Sequence, residues 1–241
     1  MRALSLTNLT VAYHDVMALR DANLTVPAGV IMGVVGPNGA GKSTLIKGAL
    51  SLVPTLSGTA EFFGEPFSAA RHRVGYLPQH ASVDWDYPAT LFDVALMGTF
   101  DSRRWFARAT ARDRQVAHEA LAAVGLDALA DRHVGEVSGG QRQRTLLARV
   151  LAHQADIYFM DEPFAGVDVA SQDTITRVLH DLRAAGKTIV IVHHDLATIP
   201  QLCDEVALID GTVVAHGPVD SVFTRDLIDR TYGLGDVSAA C

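Results

Sequence analysis

Gly36-Pro37-Asn38-Gly39-Ala40-Gly41-Lys42-Ser43-Thr44 is the stretch on which the fold turns. It satisfies the spacing G-x-x-x-x-G-K-[ST] in full. Glycines let consecutive backbone N–H groups turn inward around a phosphate, and a helix opening directly after them favours an anion at its N-terminus. Lys42 can then reach the β and γ oxygens of a nucleotide, and the Ser43 hydroxyl can ligate Mg2+. The same spacing occurs by chance in unrelated loops, so the flanks decide. Upstream, residues 30–35 form a continuous apolar run ending in a glycine, as expected of a strand buried on both faces. Downstream, residues 43–52 read as a helix stopped by Pro54. Strand, glycine loop and helix in that order predict an α/β fold with a P-loop NTPase core.

Working outward, residues 3–9 and 21–26 alternate apolar and polar side chains, as half-buried strands do. Residues 157–160 and 188–192 are further buried-strand candidates, with helical spacing over 172–184 between them. Strand, helix and strand imply a parallel sheet with a crossover helix. Residues 205–209, then Asp210-Gly211, then 212–216 predict a hairpin, because Asp-Gly suits a type I′ turn. Between about residues 90 and 150 the pattern turns helical. Val116, Ala117, Ala120, Leu121 and Val124 fall on one stripe there, and Gly125 can close that helix. No linker, repeat or low-complexity tract interrupts the chain. It reads as a single domain over 1–241, with a nucleotide-binding core from 1–87 and 151–241 and a helical segment over 88–150.

Ile157-Tyr158-Phe159-Met160-Asp161-Glu162 supplies an acidic pair. Asp161, at the end of a buried strand, suits a carboxylate that holds Mg2+ directly or through water. Glu162 is the next residue and points elsewhere, so it can polarise an attacking water as general base. A strand-end pair serving as a helix N-cap is the alternative. Just ahead lies Val137-Ser138-Gly139-Gly140-Gln141-Arg142-Gln143-Arg144, opening a helix that runs through Arg149. The Ser138 hydroxyl and the free N–H groups of that helix start could face a phosphate. One chain already has a cradle for one triphosphate. A second phosphate site makes sense if it completes a partner's cradle; a simply capped helix start is the other reading.

The segment from Val137 to Arg144 resembles the signature of ATP-binding cassette (ABC) ATPases, and the resemblance covers the chain from Leu4 to about Gly217. It implies an N-terminal antiparallel β region beside the parallel sheet. It implies ATP and Mg2+ as cofactors, with Tyr13, in Val11-Ala12-Tyr13, stacking on adenine; plain core filler is the lesser alternative for that ring. The phosphates would be held by Gly36, Pro37, Asn38, Gly39, Ala40, Gly41, Lys42, Ser43 and Thr44. Ser138, Gly139, Gly140 and Gln141 would face the nucleotide of a second copy, and Gly166-Val167-Asp168 matches the D-loop that runs along the dimer interface. Gln79 matches the Q-loop glutamine and His194 the switch histidine. Catalysis would thus rest on Glu162, His194, Gln79 and Lys42, with Ser43, Gln79 and Asp161 around the metal. His193 stands where threonine is more usual in the family, and Val137 replaces the commoner leucine.

Val83-Asp84-Trp85-Asp86-Tyr87-Pro88, followed by Leu91-Phe92-Asp93-Val94 and Met97-Gly98, resembles the subfamily that powers bacterial zinc and manganese (or iron) importers. That resemblance implies transmembrane permease subunits and, through them, a substrate-binding protein as partners, with the chain peripheral at the cytoplasmic face of the membrane. The aromatic stretch reads as a docking pocket or as loop packing.

Composition agrees with these expectations. The formal charge of −7 and pI near 5.7 argue against a nucleic-acid partner, which needs a basic surface. The arginine run at Arg103, Arg104, Arg108, Arg112 and Arg114 reads as a solvated face, or as a rim near headgroups or a partner. Cys203 and Cys241 have no disulfide or zinc spacing, which fits a reducing compartment. The N-terminus has no secretory signal, and no apolar run approaches the ~18 residues of a spanning helix. His72, His80, His118, His133, His153, His180 and His216 show no recurrent ligand spacing, so Mg2+ is the only metal expected. Residues after about 217 read as a short helical tail.

Overall fold

The structure is a computed structural model and describes residues 1–14, 16–79, 85, 87–100 and 108–234. Along the chain come β1 (Arg2–Tyr13), β2 (Val16–Pro27), β3 (Ile31–Val35), α1 (Lys42–Ala49), β4 (Ser57–Phe62), β5 (Glu65–Pro66), α2 (Phe67–Ala70), β6 (Val74–Leu77) and α3 (Leu91–Met97). There follow α4 (Ala111–Ala123), α5 (Gly139–Ala152), β7 (Ile157–Asp161), α6 (Val169–Ala184), β8 (Thr188–Val192), α7 (Ile199–Leu202), β9 (Glu205–Ile209), β10 (Val213–Pro218), α8 (Val219–Val222) and α9 (Arg225–Thr231). They form two compact units, Met1–Arg71 with Arg183–Cys241, and His72–Leu182. The second unit therefore takes in β6, β7 and α6 besides the helical segment 88–150.

In the first unit, β3 pairs in parallel with both β8 and β9, and β10 closes the edge antiparallel to β9. Every residue of β3 and of β8 is buried. IMGVV and TIVIV are continuous apolar or β-branched runs because both faces are covered, as in any parallel sheet interior. A separate antiparallel sheet runs β2-β1-β4-β5. β1 and β2 are each twelve residues, longer than their alternating stretches, because bulges let polar segments keep pairing. β4 is missing from the sequence reading. SGTAEF is mostly exposed and contains a glycine, so it carries no apolar signal; β1 recruits it through pairs such as Leu6 with Ala60.

The β9–β10 turn departs from the predicted type I′. Strand pairing resumes at Val213 opposite Ile209, leaving the three residues Asp210, Gly211 and Thr212 in the loop. Gly211 alone of these is left-handed, at φ 63°. A two-residue I′ turn needs positive φ at both centres, and Asp210 does not supply it. Gly211 is occupied elsewhere: its N–H donates to Ala40 O (2.9 Å) and its carbonyl accepts from Arg20 N (2.8 Å). The turn thereby braces the glycine loop. The C-terminal tail forms α8 and α9, as expected.

In the second unit, β6 pairs in parallel with β7, Leu77 opposite Met160. The helices α3, α4 and α5 pack on one another, with Val116, Ala117, Ala120, Leu121 and Val124 buried as the stripe predicts. α4 ends at Ala123 with Val124 as its C-cap, and Gly125 follows at φ 67°, its N–H bonded to Ala122 O. α6 begins at Val169, one turn earlier than the helical spacing showed. Among the described residues no helix is long and apolar enough to cross a membrane.

Candidate active site

In the first unit the buried β3 delivers the chain to Gly36, and the glycine loop follows. Gly39 and Gly41 sit at φ 83° and 94°, conformations open to glycine at little cost. Space is equally strict. A Cβ on Gly41 would lie 2.5 Å from Ala18 O, and one on Gly36 would overlap Ile209 O. Gly41 caps α1, whose first bond runs from Leu45 N to Gly41 O at 2.8 Å. Lys42 is 7% exposed, and its ammonium donates to Gly36 O and Pro37 O, both at 2.8 Å. The loop thus holds its cation across its own mouth, and Asn38 and Gly39 are exposed. Ser43, in the first turn of α1, is half-buried.

Tyr13 closes β1 at 40% exposure, so it does not fill the core and its ring is open to solvent. His194 follows β8 and is exposed, whereas His193 is buried.

In the second unit the register of β6 on β7 sets the chemistry. Two residues beyond the Leu77–Met160 pair come Gln79 and Glu162, and Gln79 Nε2 donates to Glu162 Oε2 at 2.8 Å. Asp161 ends β7 at 1% exposure, and Glu162 is half-buried. Glu162 sits at φ 53°, a left-handed conformation that costs a residue with a side chain of order 1–3 kcal/mol. With that backbone its carboxylate meets Gln79. An N-capping role for the pair is not what the structure has: α6 begins only at Val169, and Asp168 caps it. The Asp161 carboxylate in this unit, like the Ser43 hydroxyl in the first, is by itself a hard oxygen donor of the type Mg2+ takes.

Ser138 is the N-cap of α5. Its hydroxyl accepts from Gln141 N (3.3 Å), and Gln141 Oε1 accepts from Ser138 N (2.9 Å), a complete capping box. Gln141 therefore serves the helix start with its side chain. The Ser138 O–H proton is not spent on the cap, since a hydroxyl that accepts keeps its own donor. Gly139 is exposed at the helix tip. Gly140 is buried for a reason the sequence did not reveal: a Cβ there would stand 2.5 Å from Ser171 Oγ and 2.7 Å from Asp168 Oδ2. The Asp168 carboxylate accepts from Ser171 N (2.8 Å) and Ser171 Oγ (3.2 Å). These bonds, the backbone one foremost, hold its pKa below the usual value. The signature glycine and the cap of α6 are thus packed together.

The stretch resembling the metal importers lies partly outside the described residues, at Val83, Asp84 and Asp86. Trp85 stacks under the Arg142 guanidinium at 4.9 Å, while Tyr87, Met97 and Phe100 are exposed at 61%, 51% and 41%. Arg108, Arg112 and Arg114 are exposed, the solvated reading; Arg103 and Arg104 lie outside the described residues. No group of three or more potential metal ligands occurs among the described residues.

A strand-bounded glycine loop, an acidic strand end and a serine-glycine helix start on this fold define a nucleotide-hydrolysing cassette. The sequence pattern of the ABC transporter family matches residues 19–165, and the chain belongs to that family as an ATP-binding subunit, an ATPase. It is 48% identical over 96% of its length to the zinc transport system ATP-binding protein TroB of Treponema pallidum, 87% of which is covered. It is 46% identical over 97% of its length to the manganese transport system ATP-binding protein MntB of Bacillus subtilis, 93% of which is covered. Among solved structures, cbiO1 of Clostridium perfringens, part of the cbiONQ transporter complex, is 27% identical with a TM-score of 0.78, covering 97% of this chain and 95% of that one. The ADP conformation of the cassette MJ1267 shares the fold at 23% identity and a TM-score of 0.83, over 98% of this chain and all of that one.

Proposed function

We propose that this subunit powers the import of a divalent metal ion, zinc or manganese, through permease subunits that it joins at the cytoplasmic face of the membrane. The carrying observation is the likeness, over nearly the whole of each chain, to subunits named for zinc and for manganese transport. Exposed Tyr87, Met97 and Phe100 support a docking surface in the second unit.

In the proposed mechanism two copies meet head to tail around two ATP molecules. Lys42 neutralises the β and γ oxygens, and the loop amides cradle the β-phosphate. Ser43 and Asp161 would hold Mg2+, which supplies charge neutralisation to the phosphates when bound. Ser138 and the N–H groups of Gly139 and Gly140 from the partner copy would face the γ-phosphate, and Tyr13 would stack on the adenine. Glu162, oriented by Gln79, accepts the proton of the attacking water, and His194 supports the γ-phosphate. Loss of the phosphate lets the copies part, and the Gln79 region passes that motion to the permease and its substrate-binding protein.

The test is metal accumulation in a strain lacking the gene. The proposal expects uptake of radiolabelled zinc or manganese to fall and to return with the wild-type chain but not with Lys42→Ala. Unchanged uptake of both metals, with another solute lost instead, would assign the subunit to a different transporter.

A further inference from the structure

His193 departs from the family pattern, and the structure gives it a place of its own. It is 5% exposed and directly precedes the exposed His194, with ring centroids 5.6 Å apart. Its backbone N–H extends the pairing of β8 by donating to Val34 O (3.2 Å), so its own position is fixed by the strand that leads into the glycine loop. Its Nε2 meets Thr198 Oγ1 at 2.5 Å. Thr198 Oγ1 in turn donates to Asp195 O at 3.0 Å, and Asp195 Oδ1 accepts from Ala197 N at 2.9 Å. A hydroxyl has one proton. With that proton directed at the Asp195 carbonyl, the imidazole proton belongs on Nε2, and the histidine is the donor.

Thr198 stands at the N-cap of α7, where a threonine hydroxyl normally accepts from the first turn of the helix. Here it makes no such cap; the residue is helical, at φ −89° and ψ −18°, and its hydroxyl is turned to His193 and Asp195. The helix it opens is itself pinned, since Ile199 and Cys203 lie 3.1 and 3.0 Å from where a Cβ on Gly33 would be. The loop that carries His194 is therefore tied at both ends, to β3 through the His193 backbone and to α7 through the His193 side chain.

We propose that His193 is a positioning residue: through Thr198 it clamps the loop between β8 and α7 and so fixes where the neighbouring His194 stands. This rests on the reading that His194 supports the γ-phosphate. A threonine at position 193 is too short to bridge to Thr198, so this chain holds its loop by a contact that the more usual residue would not make. The clamp acts on His194 placement and leaves ATP binding by the glycine loop alone.

The experiment is steady-state ATP hydrolysis by the full chain bearing His193→Leu, His193→Gln, Thr198→Val, the double variant His193→Leu/Thr198→Val, or His194→Ala, with thermal melting of each. His193→Leu and Thr198→Val should each lower kcat on the order of tenfold to a hundredfold, the scale of a small misplacement of a working group, with KM for ATP changing less than about twofold. Thr198→Val removes no helix cap, so it tests the clamp even if His193→Leu folds poorly. The double variant should be no worse than Thr198→Val alone, because that variant already breaks the His193–Thr198 bond together with the Thr198–Asp195 bond, and His193→Leu then has nothing further to remove. His193→Gln, which keeps an N–H at the same reach, should recover most of the rate. If His194→Ala lowers kcat while Thr198→Val and a folded His193→Leu do not, the clamp is wrong and the reading of His194 stands. If His194→Ala keeps full kcat, that reading falls and the proposal with it. Additive losses, or losses that follow melting temperature alone, would also overturn the clamp.

Discussion

Glu162 is the residue on which hydrolysis is argued to depend, and its environment was only half legible in the sequence. Its place after Asp161 at the end of an apolar run was readable, because a buried strand has to finish before it can present a carboxylate. Its bond to Gln79 was not, since 83 positions separate the two and only the parallel register of β6 and β7 brings them within 2.8 Å. Its positive φ has no sequence signature either, because the strain at φ 53° is imposed by the surrounding fold. Glu162→Gln keeps the size and the capacity to bond Gln79 but cannot take a proton. Equilibrium binding should show ATP affinity within a few-fold of wild type, and phosphate release should fall by about 10²–10⁴, the usual weight of a general base. Wild-type phosphate release from that variant would remove Glu162 from the role.

At the scale of elements, what the sequence disclosed was periodicity and what it hid was contact. The strands β3, β7 and β8 were readable because both faces are buried and the apolar run is unbroken. β4 and β6 were not, being respectively an exposed partner of β1 and a four-residue strand with a glycine in it. That glycine, Gly75, sits where a Cβ would press on the Tyr158 ring at 2.7 Å, a constraint only the folded pair reveals. The helix starts tell the same story. Thr90 with Asp93 and Thr110 with Asp113 form full capping boxes on α3 and α4, local signals that the helical periodicity overshadowed. Thr110→Ala should lower unfolding free energy by about 1 kcal/mol in denaturant melts, with ATP hydrolysis per folded chain unchanged. Gly140→Ala is expected to do the reverse. Its methyl would collide with Ser171 Oγ and Asp168 Oδ2, shifting the start of α5 against the cap of α6. Hydrolysis should fall at least tenfold, on the order of 1.4 kcal/mol of transition-state stabilisation, while ATP binding persists. A Gly140→Ala chain with wild-type turnover would show that this close packing is irrelevant to the signature turn.

For the whole molecule, the account turns on the active site being shared between copies. The glycine loop has its lysine and its helix; Ser138, Gly139 and Gly140 present a second anion-ready helix start whose hydroxyl proton is not used by its own cap. A chain with two such sites for one nucleotide is explained when each helix start serves the neighbour's phosphate. The direct measurement is ATP hydrolysis per chain at saturating Mg-ATP over a wide range of chain concentration, with the mass followed by light scattering. The rate per chain should climb with concentration to a plateau, and Glu162→Gln with ATP should scatter at twice the 25.8 kDa of one chain. A rate per chain that stays constant down to dilutions where only the 25.8 kDa species is present would contradict the account.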